Sequence, residues 1–410
     1  MTNSDVLIIG AGQAGSQTAT SLRQGGFTGS ITIIGDEPSL PYQRPPLSKA
    51  YLKGELEESR LYFKPAKWFD AQDVTIVTDC SVSSVDVNKN TATLSNGNKL
   101  SFDYLVFATG ARNRELPMIG SRLKNVFGLR NLKDVDALRP HVTKGKNLLV
   151  IGAGYIGLET AAVANTLGMN VTVLELADRV LARVTGQTIS EFYTKLHRSY
   201  GVTIKTGSSA SSFNAKADKV ESVTLSTGEI IPCDIVLIGI GILPNIELAQ
   251  KAGITCQDGI LVDDNARTNI SHVYAAGDCA KRNILPYNRT GRLESVHNAI
   301  EQGKQVASAI IGNPTPKLDC PWFWSDQYDV KLQIAGLSTG YDNSVVRGSI
   351  EDKTFAVFYF KDDVLIGADA VNSAPEFMTA KRLIMTKSKT PPSWLADPER
   401  PLKDIVRQFS

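Results

Sequence analysis

Val6-Leu-Ile-Ile-Gly10-Ala-Gly12-Gln-Ala14-Gly15 decides the fold: an apolar strand runs straight into a glycine-spaced turn, and a helix is predicted over residues 17–24. Each glycine has its own task. Gly10 permits the tight turn, Gly12 lets the backbone approach a pyrophosphate, and Gly15, beside Ala14, lets the helix pack closely on the strand. The free N–H groups and positive end of that helix then face an anion. A lone glycine fingerprint is also a common turn, so its surroundings carry the weight. A second apolar strand over residues 30–35 leads to Asp36 and Glu37, which follow Gly15 by about the 20 residues expected of a carboxylate that grips a ribose hydroxyl.

From Lys146 the plan begins again. Asn147-Leu-Leu-Val-Ile-Gly152-Ala-Gly154-Tyr155-Ile156-Gly157-Leu-Glu159 repeats strand, turn and helix, and Val171-Thr-Val-Leu-Glu175 repeats the second strand with its terminal acid. Each copy then carries a hairpin, turning at Asn96-Gly97 in the first and Thr227-Gly228 in the second. Each also ends on an apolar strand: Tyr104-Leu-Val-Phe107 runs into Ala108-Thr109-Gly110, and residues 234–238 run into Gly239-Ile-Gly241. Duplication of a whole plan predicts two bound dinucleotides. A carboxylate at Glu175 accepts ribose hydroxyls and repels an added 2′-phosphate, which favours NADH over NADPH; Arg179 and Arg183 nearby argue the other way. Glu159, inside the second helix, reads either as a solvated charge or as a group facing the nicotinamide.

Composition excludes several classes. At 410 residues the chain has room for two or three domains, and a formal net charge of +2 provides no global field for nucleic acid or anionic lipid. No apolar run approaches the ~18 residues of a membrane span, and a first strand beginning at Val6 leaves no room for a targeting segment, so a cytoplasmic protein is expected. The five cysteines are scattered singly, without the close pair of a redox motif or zinc site. Where disulfide reductases on a comparable scaffold carry a cysteine pair, this chain reads Leu40-Pro-Tyr-Gln-Arg44-Pro-Pro-Leu-Ser-Lys49. Its prolines predict an ordered loop with a helix able to start at Leu47, holding Arg44 and Lys49 beside the first nucleotide. No metal-spaced His or Cys cluster and no Gly-x-Ser-x-Gly occurs.

Further on, Ala275-Ala-Gly277-Asp278 places a carboxylate at a strand's C-terminal edge, where doubly wound sheets bind ligands, although local sequence alone favours a capping Asp beside the core. Arg292-Leu-Glu-Ser295-Val296 leads a helix expected over 297–311, whose positive end suits an electron-rich ring. Asn313-Pro-Thr-Pro316 marks a linker, and Pro321-Trp-Phe-Trp324-Ser-Asp-Gln-Tyr328 opens a third unit. Strands expected at 331–334, 344–347, 354–360 and 364–368, with a helix at 376–386, form a small antiparallel sheet.

These blocks together resemble the FAD-dependent NADH:ferredoxin reductases of bacterial oxygenase systems over essentially the whole chain. The resemblance is carried by Gly10 to Gly15, Arg44-Pro-Pro-Leu-Ser-Lys49, Ala108-Thr-Gly110, Arg130, Gly152 to Glu159, Ala275 to Asp278, Arg292 to Val296 and Pro321 to Tyr328. It implies an α/β fold with two Rossmann-like domains of the glutathione-reductase type and a C-terminal α+β domain. Residues 1–112 and 241–318 would form the FAD domain, 113–240 the NADH domain and 319–410 the third. It assigns Asp36 to the adenosine ribose, Asp278 to the ribitol, Arg130 and Val82 to the adenine side, and the Val296 N–H to the flavin. Lys49 would lie beside flavin N5 and pair with Glu159. Arg44, Thr109, Gly277, Ser295, Trp324, Tyr155, Ile156, Arg183 and Gly241 would be further cofactor contacts. The implied partner is an acidic 2Fe-2S ferredoxin, with Arg289, Lys304, Lys381 and Arg382 as candidate docking cations and Trp324 over the electron exit. Two other readings stay open on the same scaffold: an NADH-dependent reductase of small quinones or radicals, and an interaction protein similar to apoptosis-inducing factor.

Overall fold

The computed structural model describes residues 2–409, and the chain divides into two compact units. The first joins the chain up to Gln43 with Glu58–Arg112 and Leu243–Pro321; the second joins Arg44–Glu57, Asn113–Ile242 and the chain from Trp322 onward.

In the first unit, a seven-stranded sheet has the order Val74–Val77, Ile31–Ile34, Thr2–Ile9, Lys99–Phe107, Thr91–Leu94, Val82–Asp86, with Val273–Ala275 also on Lys99–Phe107. Its core pairs are parallel, with Ile9 opposite both Ile34 and Phe107. Burial on both faces explains the unbroken apolar run of the first strand: Val6 and Ile8 enter one cluster with Leu22 and Val306, while Leu7 and Ile9 enter another with Phe102 and Leu105. Helix Gln13–Gln24 crosses between the first two strands and packs on helix Val296–Ile311. Gly303 lets them approach, since a Cβ there would stand 2.9 Å from that of Gln17.

The second unit repeats the plan. Its parallel sheet runs Thr203–Lys205, Asn170–Leu174, Asn147–Ile151, Ile235–Ile238, Val126–Phe127. Equivalent backbone bonds recur: Gly10 N–H to Ile34 O and Gly152 N–H to Leu174 O, both 2.8 Å; Ala108 N–H to Ile9 O and Gly239 N–H to Ile151 O, both 2.8 Å. The hairpins match as well, with Leu94 N–H to Asn98 O and Leu225 N–H to Glu229 O at 2.8 Å. Gly97 and Gly228 both sit at φ +86°, the left-handed conformation these turns require. The same unit holds an antiparallel sheet of order Trp322–Gln327, Val330–Gly336, Val364–Val371, Thr354–Lys361, Asn343–Ser349, with helix Ala374–Met385 upon it.

Some boundaries differ from expectation for identifiable reasons. The first helix begins at Gln13, not residue 17, because Gly12 is itself the extended N-cap and Gly15 is helical. The strand leaving the Asn96-Gly97 turn and the Tyr104–Phe107 run are one strand, Lys99–Phe107. In the proline loop, Pro45–Ser48 forms a 3-10 turn and Ala50–Lys53 a single helical turn, leaving Lys49 between them at φ −129°, ψ −116°. Strands Trp322–Gln327 and Ala210–Lys216 and helices Pro392–Ala396 and Leu402–Phe409 were not anticipated.

Candidate functional site

The two glycine turns have one geometry. A Cβ on Gly10 would stand 2.1 Å from Ala108 O and one on Gly152 2.5 Å from Gly239 O, while Gly15 and Gly157 would meet the carbonyls of Gly10 and Gly152 at 2.1 Å. Gly10 and Gly152 also adopt φ +118° and +106°. Gly12 and Gly154 differ: a Cβ there meets nothing within 4 Å. Both are N-caps without a side-chain acceptor, and neither following helix has an acid in its first turn. Glycine is therefore kept at these two positions where packing does not demand it, in front of helix N–H groups that the helix leaves unused. That arrangement fits a dinucleotide pyrophosphate, with Ala14, Gly15, Tyr155, Ile156 and Gly157 on the first turns.

The acids behind the turns are not equivalent. Glu175 Oε2 accepts the Ala153 N–H at 2.7 Å and Oε1 the Ala177 N–H at 2.9 Å, so this carboxylate is fixed against the glycine turn. Register places Gly35 at the corresponding position of the first copy, where a Cβ would stand 2.6 Å from that of Ala11. An acid is excluded there, and the carboxylate stands one residue on, at exposed Asp36. Glu37 accepts the Tyr42 hydroxyl at 2.5 Å. Arg179, weighed against the preference for NADH, is committed elsewhere: its guanidinium donates to Thr185 O, Ala182 O and Ser190 Oγ. Arg183 is exposed, with Nη2 3.8 Å from where a Gly241 Cβ would stand.

Glu159 is not a solvated charge. Helix Tyr155–Thr166 packs against strand Trp322–Gln327, and Glu159 is 4 % exposed. Lys49 Nζ lies 2.6 Å from its Oε2, Ser48 Oγ donates to Oε2 at 2.5 Å, and Ser325 Oγ donates to Oε1 at 2.7 Å. The chain of contacts continues: Gln327 Nε2 donates to Ser325 Oγ at 3.1 Å, and Gln327 Oε1 is 2.8 Å from His197 Nε2. Burial lowers the pKa of His197. Lys49 Nζ also donates to Pro45 O at 3.2 Å, so its ammonium is oriented from two sides. Arg44 donates to the Arg130 carbonyl at 2.8 Å, which brings those two candidate residues together.

In the first unit, Thr109 and Gly110 are clamped by Asn245: Thr109 Oγ1 donates to Asn245 O at 2.6 Å, Asn245 Nδ2 donates to Thr109 O at 2.9 Å, and its N–H reaches Gly110 O. Ser295 caps helix Val296–Ile311 by accepting the Asn298 N–H, leaving the Val296 N–H among the donors the helix does not use. Gly277, at φ +83°, donates its N–H to Gln302 at 2.9 Å and turns the chain just before Asp278. Val82 lies half-buried at the start of its hairpin. Sequence reasoning gave no role to Asn245, Gln302 or Ser325. All five cysteines are free thiols; burial raises the pKa of Cys256 and Cys279, and burial together with neighbouring Asp234 pushes Cys233 up to about 12. Trp324 is half-buried on an edge strand, its ring 5.4 Å from that of Trp322, over which Lys381 Nζ sits at 5.8 Å. Arg289, Lys304 and Arg382 are exposed in their respective units.

Residues 4–303 match the model of the pyridine nucleotide-disulphide oxidoreductases, and residues 322–406 match the reductase C-terminal model. Putidaredoxin reductase CamA of Pseudomonas putida is 40 % identical over 409 residues, 98 % of this chain and 97 % of the relative. A ferredoxin--NAD(P)(+) reductase of Sphingomonas sp. is 41 % identical over 407 residues, 99 % of this chain and 98 % of the relative. The solved covalent putidaredoxin reductase-putidaredoxin complex contains a chain that superposes with a TM-score of 0.96 at 39 % identity, covering 100 % of this chain and 99 % of that one.

Proposed function

The chain belongs to the pyridine nucleotide-disulphide oxidoreductase family and carries the reductase C-terminal domain, and from that premise we propose that it is an FAD-dependent, NADH-preferring reductase of a 2Fe-2S ferredoxin feeding a monooxygenase or dioxygenase, acting in the cytoplasm. The observation that carries the reading is the duplicated cradle, open at Gly12 and Gly154 and backed by Asp36 and Glu175. Residues 1–112 and 241–318 are the FAD domain, 113–240 the NADH domain and 319–410 the third. Among the described residues no helix is long and apolar enough to cross a membrane.

When bound, NADH supplies a hydride and FAD accepts it and releases electrons one at a time. The residues supply orientation and electrostatics. Glu175, already fixed by two backbone N–H groups, grips the ribose of NADH and disfavours a 2′-phosphate. Glu159 holds the Lys49 ammonium in one place, where it stabilises negative charge gained by the flavin ring. The Val296 N–H serves the same charge from the positive end of its helix. Raised thiol pKa values at Cys233, Cys256 and Cys279 keep these sulfurs protonated, consistent with transfer that needs no sulfur relay. Lys304 and Arg289 in one unit, and Lys381 and Arg382 in the other, recruit the acidic acceptor.

Steady-state turnover of a 2Fe-2S ferredoxin against small quinones tests this reading. Ferredoxin is the preferred acceptor, and reversing charge at Lys304 and Arg382 slows its turnover and flattens the salt dependence; quinone preference, or unchanged salt dependence, counts against it. Replacing Glu175 by Ser removes the carboxylate and two braces of the glycine turn, so the NADH-to-NADPH preference in kcat/KM should narrow about tenfold or more. An unaltered ratio contradicts the role given to Glu175.

A further inference from the structure

Asp369 lies within the apolar strand Val364–Val371 and is 0 % exposed. Its Oδ2 accepts the Tyr359 hydroxyl at 2.7 Å, and that hydroxyl oxygen accepts the Gly186 N–H at 3.1 Å. A Cβ on Gly186 would stand 2.5 Å from the Tyr359 ring, so the turn rests on it. Gly186 is the N-cap of helix Gln187–Ser199, which has no side-chain cap of its own. It closes the segment 176–186 that starts beside Glu175 and carries Arg183. Asp369 Oδ1 and the hydroxyls of Tyr155 and Tyr193 are buried without a partner. Burial raises the hydroxyl of Tyr155, the first residue of the second dinucleotide helix, well above its ordinary range, and the charges of Asp369 and Glu159 add to it while Arg183 opposes. Tyr193 senses Asp326, Glu159 and Asp369.

We propose that Asp369 and Tyr359 are positioning residues for nicotinamide dinucleotide recognition, through which the C-terminal sheet fixes segment 176–186 and Tyr155 around the second glycine turn. The proposal rests on the reading of that turn as the NADH seat. An ionised carboxylate only accepts, so Tyr359 donates to it and keeps a lone pair for Gly186. A protonated carboxyl brings a donor that competes for the same oxygen. Burial raises Asp369 to about 7, against the lowering influence of Tyr359, the Gly186 N–H and Arg179. The groups facing it are Tyr359 from its own sheet, Tyr155 from one helix, Tyr193 from another, and Arg179 from the segment. Segment 176–186 is therefore pinned above neutral pH and loosened below it.

The experiment measures KM for NADH and kcat with ferricyanide as acceptor, between about pH 6 and 8, on the FAD-loaded protein. In the wild type KM rises as pH falls through this range while kcat changes little. Asp369→Asn presents the acceptor and donor of the protonated carboxyl without the titration, so its KM stays near the wild-type acidic value and loses the pH dependence. Tyr359→Phe raises KM about five- to tenfold, the cost of one to two hydrogen bonds, with kcat within about twofold. Asp369→Asn with a wild-type pH profile, or Tyr359→Phe with a wild-type KM, overturns the proposal. A wild-type flavin that NADH does not reduce overturns the seat itself, a separate outcome.

Discussion

Gly12→Val is expected to yield a folded but colourless protein, and Gly154→Val a folded yellow protein that NADH no longer bleaches. Both glycines are extended N-caps, at φ −88°, ψ −162° and φ −79°, ψ −173°, a conformation valine adopts readily. No protein atom lies within 4 Å of a new Cβ at either position, so the fold is expected to lose about 1 kcal/mol from a poorer cap. The pyrophosphate loses its approach to the helix N–H groups. Two charge-assisted hydrogen bonds at ~1.5–3 kcal/mol each correspond to a fall in affinity of roughly 10²- to 10⁴-fold. Gly10→Ala behaves differently because its Cβ would collide with Ala108 O at a φ of +118°, and it should fail to fold. Flavin content, thermal melting and anaerobic absorbance separate these outcomes. If both valine variants lose FAD, or neither loses a nucleotide, the assignment of one dinucleotide to each turn is wrong.

Lys49→Met should slow flavin reduction by NADH about 10²- to 10³-fold, the scale of removing one fixed electrostatic stabiliser, while FAD stays bound. Lys49 is held in an unusual backbone conformation, with its N–H on Pro46 O and its ammonium between Glu159 and Pro45 O. A group so constrained delivers charge without reorganisation. Glu159→Gln should cost less, about tenfold, because an amide oxygen still receives one of the serines while the ammonium is left less firmly aimed. Anaerobic stopped-flow at the flavin band measures both. A Lys49→Met rate within threefold of wild type would remove Lys49 from the mechanism.

The twin cradles were legible because their glycines answer to backbone geometry, which is written locally: Gly10 and Gly152 need positive φ, and Gly15 and Gly157 leave no room for a Cβ. Strand runs such as Val6 to Ile9 were equally plain, since both faces are buried. What no local pattern encodes is partnership across the chain. Lys49 and Glu159 are 110 positions apart, and only the family resemblance joined them before the structure did. Ser325 lies in an edge strand whose aromatic run Trp322-Phe-Trp324 marked only the opening of the third unit, which hid the strand and its donor to Glu159. Asp369 interrupts an apolar strand without changing its period, so its burial beneath Tyr359 left no signal. Arg179 shows the converse: its position suggested a phosphate contact, and its three hydrogen bonds to Ala182, Thr185 and Ser190 tie it to its own loop.

Anaerobic titration of the purified protein with NADH tests the central claim most directly. One equivalent should bleach a yellow chromophore, and an oxidised 2Fe-2S ferredoxin, accepting one electron at a time, should then restore the colour on addition of two equivalents. Protein that is colourless as isolated, or a yellow band that NADH leaves intact, would contradict it.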